Sequence, residues 1–360
     1  MPAQKRIFLE SHNINNLFSG FGQFNYWLIK KLTEHNRNYE FTAYAKNKSV
    51  IKDFGKDVKF QRYYSFNRYK SFRLRTKYDL WHSLNQNSKI EPYSSSMPYI
   101  MTLHDVIFME KDPIEEVSKK KIQLLKDKIE RSQTIIFISE HAKRSANHFF
   151  EISEAIPQPV IYNGNPTVAQ PPVSPPKVEF DLKKPFLFCI GQFHEMKNFH
   201  SLIGMIARLK DFQLIIAGNK DKPYGAVVQQ EIGKYKLQDR VFLAGKISEK
   251  DKHYYFQNCE AFVFPSLFEG FGMPPIEAMA YGKPVFLANR TSLPEIGGEY
   301  AFYWDKFDAE YMTAIFEEGM NRFYENKDLY KTKLKERAES FNWDKTAKDY
   351  LDVYNSMLMK

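Results

Sequence analysis

The sequence has few cysteines and no long apolar run. Of its 360 residues only two are cysteine, Cys189 and Cys259, and both lie in apolar, strand-like segments. Two such thiols are typical of buried side chains in a reducing compartment, and they predict neither a disulfide framework nor a cysteine metal site. Nowhere does the chain contain about 18 uninterrupted apolar residues, the length that would span a membrane. Polar residues at positions 10–13 interrupt the N-terminal segment, so we expect a cytoplasmic protein without a signal peptide.

The fingerprint of nicotinamide enzymes is also missing. No Gly-x-Gly-x-x-Gly motif with an acid about 20 residues further on occurs, which argues against a dehydrogenase. What the chain does contain is 43% hydrophobic and 16% aromatic residues, enough for real cores. At this length two domains are the natural expectation.

Strand-like apolar runs alternate with amphipathic segments in both halves of the chain, which predicts an α/β fold with doubly wound parallel sheets. A proline-rich segment interrupts the alternation and predicts a stiff connection. We therefore expect four parts, namely an N-terminal Rossmann-like domain, a linker, a second Rossmann-like domain and a last helix, at residues 1–165, 166–185, 186–340 and 341–360.

The net charge of +9 lies entirely in the first half of the chain. Residues 1–165 contain 26 Lys and Arg against 17 Asp and Glu, whereas residues 166–360 contain 26 of each. The basic aromatic segment, residues 59–77, has seven basic residues, six aromatic residues and no acid. This pattern is compatible with contact with an anionic membrane, with nucleic-acid binding, or with a solvated basic face whose aromatics belong to the core. Of these partners, nucleic acid is the one we do not expect.

The most informative stretch is 261–282. An apolar run at 261–264 predicts a buried strand, Gly270 and Gly272 predict a loop that a ligand can approach closely, and residues 274–281 predict a helix. The start of such a helix is a ready anion site. Glu269 and Glu277 flank it, and carboxylates accept hydrogen bonds from sugar or ribose hydroxyls. A diphosphate site with two acids for hydroxyls predicts a sugar nucleotide as ligand.

Further candidates stand after other predicted strands. Gly20 and Gly22 form a glycine loop after the first strand, which by itself is a weak signal. His104, with Asp105 beside it, ends the strand at 98–103, where residues face the ligand crevice of an open α/β sheet. It is a candidate for proton or hydrogen-bond chemistry, and a capping or structural His–Asp pair is the alternative.

Together these motifs resemble the retaining glycosyltransferases of the GT-B fold, in the "group 1" branch, and the likeness extends over nearly the whole chain. Residues 269–280 are similar to the Glu-x7-Glu signature, 191–198 resemble the donor-phosphate loop, and 160–164 resemble the end of the first domain. Residues 102–105 and 292–295 resemble bacterial polysaccharide and lipopolysaccharide mannosyltransferases. The resemblance implies two domains facing each other across a cleft, the first on the acceptor side and the second binding the nucleotide sugar, with the last helix crossing back to the first.

The resemblance also implies residue roles. Glu269 would hold a sugar hydroxyl, Glu277 the ribose diol, and Lys197 would balance charge on the leaving diphosphate, with His104 near the sugar and acceptor. The remaining donor-binding candidates lie in the glycine loops and at the helix start: Gly20, Gly22, Gly191, Gln192, Phe271, Gly272 and Met273. One departure is Gln192, which stands where the family usually has Arg. Arg290 and Arg144 are the candidate substitutes.

The implied activity is transfer of a sugar with retention, mannose from GDP-mannose being favoured, to a glycan or lipid-linked glycan at the inner face of the membrane. No metal is expected, because the chain lacks the Asp-x-Asp of the other major transferase fold. The alternatives are a UDP-sugar-dependent transferase of the same fold, a synthase that extends a soluble glucan, and a non-catalytic nucleotide-sugar or nucleic-acid binder that uses the basic aromatic segment.

Overall fold

The computed structural model describes residues 4–55, 58–111, 117–167 and 170–358. By their contacts the residues form two compact units, one comprising 1–164 with 342–360 and the other 165–341. Each unit is built on one six-stranded, wholly parallel sheet with helices. The predicted α/β class is therefore confirmed.

Apart from its edge strand Val58–Arg62, the sheet of the first unit is buried along most of its length, as is usual for parallel sheets. Its sheet order is β3-β2-β1-β4-β5-β6, so the direction of winding reverses between β1 and β4. The strands are β1 (Lys5–Glu10), β2 (Tyr39–Ala45), β3 (Val58–Arg62), β4 (Leu80–Ser83), β5 (Tyr99–Leu103) and β6 (Thr134–Phe137).

Among the described residues, five α-helices belong to the first unit, and the last helix of the chain is one of them. Thr346 Oγ1 donates to the carbonyl of Tyr162 at 2.7 Å, and Asp344 lies 2.8 Å from His35 Nε2. The helices are α1 (Gly20–His35), α2 (Ile107–Lys111), α3 (Lys119–Arg131), α4 (Glu140–Phe150) and α12 (Trp343–Leu358).

The second unit repeats the plan. Its sheet order is β12-β11-β10-β7-β8-β9, and the winding reverses between β7 and β10. Its strands are β7 (Phe186–Ile190), β8 (Gln213–Ala217), β9 (Val241–Gly245), β10 (Ala261–Phe264), β11 (Val285–Ala288) and β12 (Phe302–Trp304). Its helices are α5 (Phe199–Arg208), α6 (Pro223–Lys234), α7 (Glu249–Asn258), α8 (Met273–Ala280), α9 (Leu293–Gly297), α10 (Ala309–Glu325) and α11 (Lys327–Ser340).

The predicted linker differs from the structure. The described residues of 166–185 belong to the second unit, because Thr167 and the backbone at 170–173 bond to its helices. The basic aromatic segment begins in a strand, β3, which the sequence does not predict because charged residues interrupt its apolar pattern. Within the described ranges no helix is both long enough and apolar enough to cross a membrane.

Candidate functional site

Three loops meet at the carboxyl edge of the second sheet, at its point of reversal. They follow β7, β10 and β11, which are neighbours in the sheet. Backbone bonds join the first two, since Leu267 N donates to Met196 O at 2.7 Å. Side chains join the last two, since Glu269 N donates to Thr291 Oγ1 at 3.1 Å and Ser292 Oγ donates to Phe271 O at 2.6 Å. In open α/β sheets this is where ligands bind.

Lys197 and Glu269 form an ion pair across two of these loops. Lys197 ends a short 3₁₀ turn, Glu195–Lys197, which His194 caps by accepting from Met196 N. The side chains of Lys197 and Glu269 are only 18% and 14% exposed. The two predicted residues are thus brought together, and the pair presents one cation and one hydroxyl acceptor at a half-buried position.

The start of α8 depends on a glycine. Gly272 has φ +121°, a conformation that side-chain-bearing residues rarely adopt, and a Cβ there would lie 3.1 Å from Leu293 Cδ2. Pro274 and Pro275 carry no N–H, so the donors of this helix end come from Met273 and the residues just before it. The ring of Phe271, 4% exposed, packs edge-on against Phe341.

Glu277 lies on the buried side of α8 and is already held by two groups. Its Oε1 accepts from Lys252 Nζ at 2.9 Å and from Thr167 Oγ1 at 2.9 Å. Lys252 also lies 2.8 Å from Glu249. Burial alone would lower the pKa of Lys252, but the Glu277 and Glu249 carboxylates together outweigh it and raise that pKa. The sequence gives no signal for Lys252, because only the register of α7 turns it toward Glu277.

The phosphate-loop candidates are less enclosed. Gln192 is exposed, and a Cβ on Gly191 would lie 3.3 Å from the Phe199 ring. Arg290 is exposed in the loop after β11, on the same unit as Gln192. Arg144 lies on α4 of the first unit. Of the two candidate substitutes, only Arg290 therefore belongs to the loops that surround Lys197 and Glu269.

The glycine loop of the first unit begins α1. Gly20 is the first residue of this helix, and a Cβ there would meet nothing within 4 Å. Gly22 is small for a packing reason, because a Cβ would collide with the carbonyl of Asn16. Its N–H donates to Ser19 Oγ, the helix cap, at 3.1 Å. The cap therefore already uses one of the N–H groups expected to face a diphosphate.

His104 is buried and neutral. Its Nε2 lies 2.9 Å from the carbonyl of Leu84, and the rings of Phe21 and Phe24 pack edge-on against it. Burial lowers its pKa to about 4. Asp105 Oδ1 accepts from Ile107 N, the first residue of α2, at 3.2 Å, so Asp105 caps that helix rather than pairing with His104.

No cluster of three or more His, Cys, Asp or Glu side chains suited to a metal ion occurs in the part of the chain that the structure describes. The candidate site consists of Lys197, Glu269, Glu277, Lys252 and the start of α8.

Residues 172–341 match the family model "Glycosyl transferases group 1". Over 186 residues the chain is 30% identical to the O-antigen chain mannosyltransferase RfbU of Salmonella typhimurium, covering 50% of this chain and 49% of that one. Over 188 residues it is 27% identical to the serotype-specific mannosyltransferase WbdA of Escherichia coli, covering 51% of this chain and 23% of WbdA. The chain thus spans half or less of the length of these relatives.

Two solved structures share the fold over nearly the whole chain. Sucrose-phosphate synthase from Thermosynechococcus elongatus superposes with a TM-score of 0.76 at 17% identity, covering 99% of this chain and 100% of that one. HepE from Anabaena, in a complex with UDP and glucose, gives a TM-score of 0.70 at 17% identity, covering 98% and 100%.

Proposed function

Residues 172–341 form a glycosyl transferases group 1 domain within a chain of the GT-B fold, and from that premise we propose that the protein moves a sugar from a sugar nucleotide to a hydroxyl of a glycan. The observation that carries the proposal is the half-buried Lys197–Glu269 pair at the reversal point of the second sheet, among the loops that lead to α8. The pair supplies a cation, and a carboxylate that accepts hydrogen bonds from hydroxyls, beside a helix start. These are the groups that a sugar diphosphate needs.

We propose that the transfer retains the anomeric configuration. In the reaction the acceptor oxygen bonds to the anomeric carbon as the bond from that carbon to the diphosphate breaks, both on one face of the sugar. The acceptor proton passes to the departing phosphate oxygen, so atoms and charge balance without a protein base. Lys197 stabilises the charge that grows on the leaving diphosphate, where a preorganised cation is most effective. Glu269, which pairs with Lys197 in the structure, binds a hydroxyl of the donor sugar.

Glu277 is proposed to bind the ribose diol. Its Oε1 is held by Lys252 and Thr167, which leaves Oε2 to accept from the two ribose hydroxyls. A carboxylate accepts hydrogen bonds on both oxygens, and the bonds to Oε1 fix the orientation of Oε2.

We propose mannose, carried by GDP, as the transferred sugar. Support comes from two relatives that are named mannosyltransferases. A UDP-sugar is the second candidate, favoured by the HepE complex with UDP and glucose. Thermal shift against a panel of sugar nucleotides separates them, since a ligand at one hundred times its Kd stabilises the native state by about 2.7 kcal/mol. We expect GDP-mannose to give the largest shift. A larger shift with a UDP-sugar would make that UDP-sugar the donor instead.

The proposed reaction needs no metal. Turnover in excess chelator should equal turnover without it, and a loss restored by Mn²⁺ or Mg²⁺ would contradict this part of the proposal.

A lipid-linked glycan at the inner face of the membrane is the proposed acceptor. In the basic aromatic segment, Phe66, Tyr69 and Phe72 are 47%, 55% and 58% exposed, so about half of each residue is open to solvent rather than buried in the core. Arg68 lies 4.9 Å from the centre of the Tyr69 ring, which places cations and rings on one surface. Anionic headgroups attract such cations by about 1 kcal/mol each.

Vesicle sedimentation tests the membrane contact. Binding to vesicles with anionic phospholipid should exceed binding to neutral vesicles and fall when Phe66 and Phe72 are replaced by Ser. Equal binding by the variant would refute it. Stronger binding to RNA than to anionic vesicles would instead favour a nucleic-acid partner.

A further inference from the structure

A second polar cluster lies at the carboxyl edge of the first sheet, where its winding reverses. Glu10 ends β1 and Ser83 ends β4, and the two residues are direct register partners across the reversal. The buried Lys128 of α3 reaches this point, with its Nζ 3.3 Å from Ser83 Oγ and 3.1 Å from Glu91 Oε1. Ligands of open α/β sheets bind at such reversal points.

Glu10 is a fully buried carboxylate at this edge. Its Oε1 lies 2.6 Å from His12 Nδ1, whereas its Oε2 is buried and has no hydrogen-bond partner among the described residues. A buried ion pair is rarely worth more to stability than apolar side chains of the same volume. The presence of this buried carboxylate at a reversal point is therefore better explained by a task than by stability.

His12 connects the buried carboxylate to the surface. Its side chain is 26% exposed, and its ring stacks on Tyr63 with centroids 4.9 Å apart and planes inclined by 13°. Burial disfavours the charged ring, but the Glu10 carboxylate outweighs it and raises the pKa of His12. With Nδ1 bound to Glu10, only Nε2 remains to meet a ligand, and the stack on Tyr63 fixes the plane in which it lies.

We propose that His12, held through Nδ1 by Glu10, binds a hydroxyl of the acceptor glycan through Nε2. The inference rests on the proposed function. A sugar hydroxyl both donates and accepts, so it pairs with Nε2 whether or not that nitrogen carries a proton. Glu10 is a positioning residue that fixes the ring, and the acceptor is recognised as a polyol rather than by charge alone.

The test uses the full chain and three steady-state measurements, namely the KM for acceptor, the KM for donor, and the slow hydrolysis of donor without acceptor. His12→Phe keeps the ring that stacks on Tyr63 and removes both nitrogens. We expect its KM for acceptor to rise roughly tenfold, the size of one lost hydrogen bond, while the donor KM and hydrolysis stay unchanged.

His35→Phe is the matched control. This imidazole is 27% exposed and bonds a carboxylate, Asp344, at 2.8 Å on the same unit, at the far end of α1 from the glycine loop. Its acceptor KM should stay within twofold of wild type. Glu10→Gln is the second variant, and it should raise the acceptor KM less than His12→Phe because the amide still orients the ring.

A wild-type acceptor KM in His12→Phe, with donor hydrolysis intact, would overturn this inference and leave the proposed function standing. Equal rises in His12→Phe and His35→Phe would overturn it as well, since the effect would then be general. If the wild-type chain neither hydrolyses nor transfers any donor, the proposed function and this inference fail together.

Discussion

Replacing Lys197 by Met separates the structural from the chemical contribution of the Lys197–Glu269 pair. Met fills nearly the volume of the lysine stem but removes the charge. Glu269, 14% exposed, would then lose its cationic partner. Breaking a buried pair at one partner costs about 3–5 kcal/mol. Because some solvent reaches both side chains, we expect the lower end, about 3 kcal/mol, in the free energy of unfolding.

The effect on catalysis is separate from that cost. A preorganised group that stabilises developing charge contributes about 10²–10³ in kcat. Lys197→Met should therefore lower kcat by that factor, measured as release of nucleoside diphosphate at saturating donor and acceptor. Unfolding of the same sample by urea measures the loss of stability.

The double variant Lys197→Met/Glu269→Gln distinguishes the two effects. Removing the orphaned charge should recover most of the stability but none of the kcat. Lys283→Met is the matched control, since Lys283 donates to the carbonyl of Cys259 on the same unit and should matter only for stability. A folded Lys197→Met with kcat within threefold of wild type would refute the role assigned to Lys197.

Glu277→Gln should raise the donor Kd roughly tenfold or more, the size of hydrogen bonds to a charged group, and Lys252→Met should raise it less, both measured by calorimetry; an unchanged Kd in both variants would exclude ribose binding at Glu277. Gly272→Ala should lower the unfolding midpoint and the donor affinity, because Ala is strained at φ +121° and its methyl would press on Leu293 at the start of α8; a wild-type midpoint would contradict this. His82 and His104 have pKa values lowered by burial to about 3 and about 4, so only the unfolded state takes up these protons between pH 6.5 and 4. Stability should therefore fall as the pH drops from 7 to 5, by about 1–2 kcal/mol for each histidine, and His104→Gln should reduce that dependence in urea titrations at the two pH values.

The buried strands are predictable from the sequence because their apolar patterns are local. β7 begins and ends where its apolar run does, and β1 and β8 contain the apolar runs 7–9 and 214–217. The glycine loop before α8 is also local, since a positive φ demands glycine at position 272. The pair formed by Lys197 and Glu269 follows from topology, because both follow strands that are neighbours in the sheet.

What escapes prediction depends on side-chain register over long separations. Lys252 meets Glu277 only because α7 and α8 expose those faces to each other. The polar residues 10–13, which in the sequence only interrupt an apolar run, contain a carboxylate and an imidazole at the reversal point of the first sheet. His104 stands where a ligand-facing residue is expected, but two aromatic rings of α1 bury it. β3 is hidden by basic side chains on an edge strand, where charge protects the exposed edge.

The central claim is sugar transfer with retention from a sugar nucleotide. Its most direct test is to incubate the protein with the donor that gives the largest thermal shift and with a glycan acceptor, and to follow the anomeric signals of donor and product by NMR. The account predicts a glycoside of the same anomeric configuration as the donor, formed in step with free nucleoside diphosphate and abolished in Lys197→Met. A product of inverted configuration, or tight donor binding with no product at all, would contradict it.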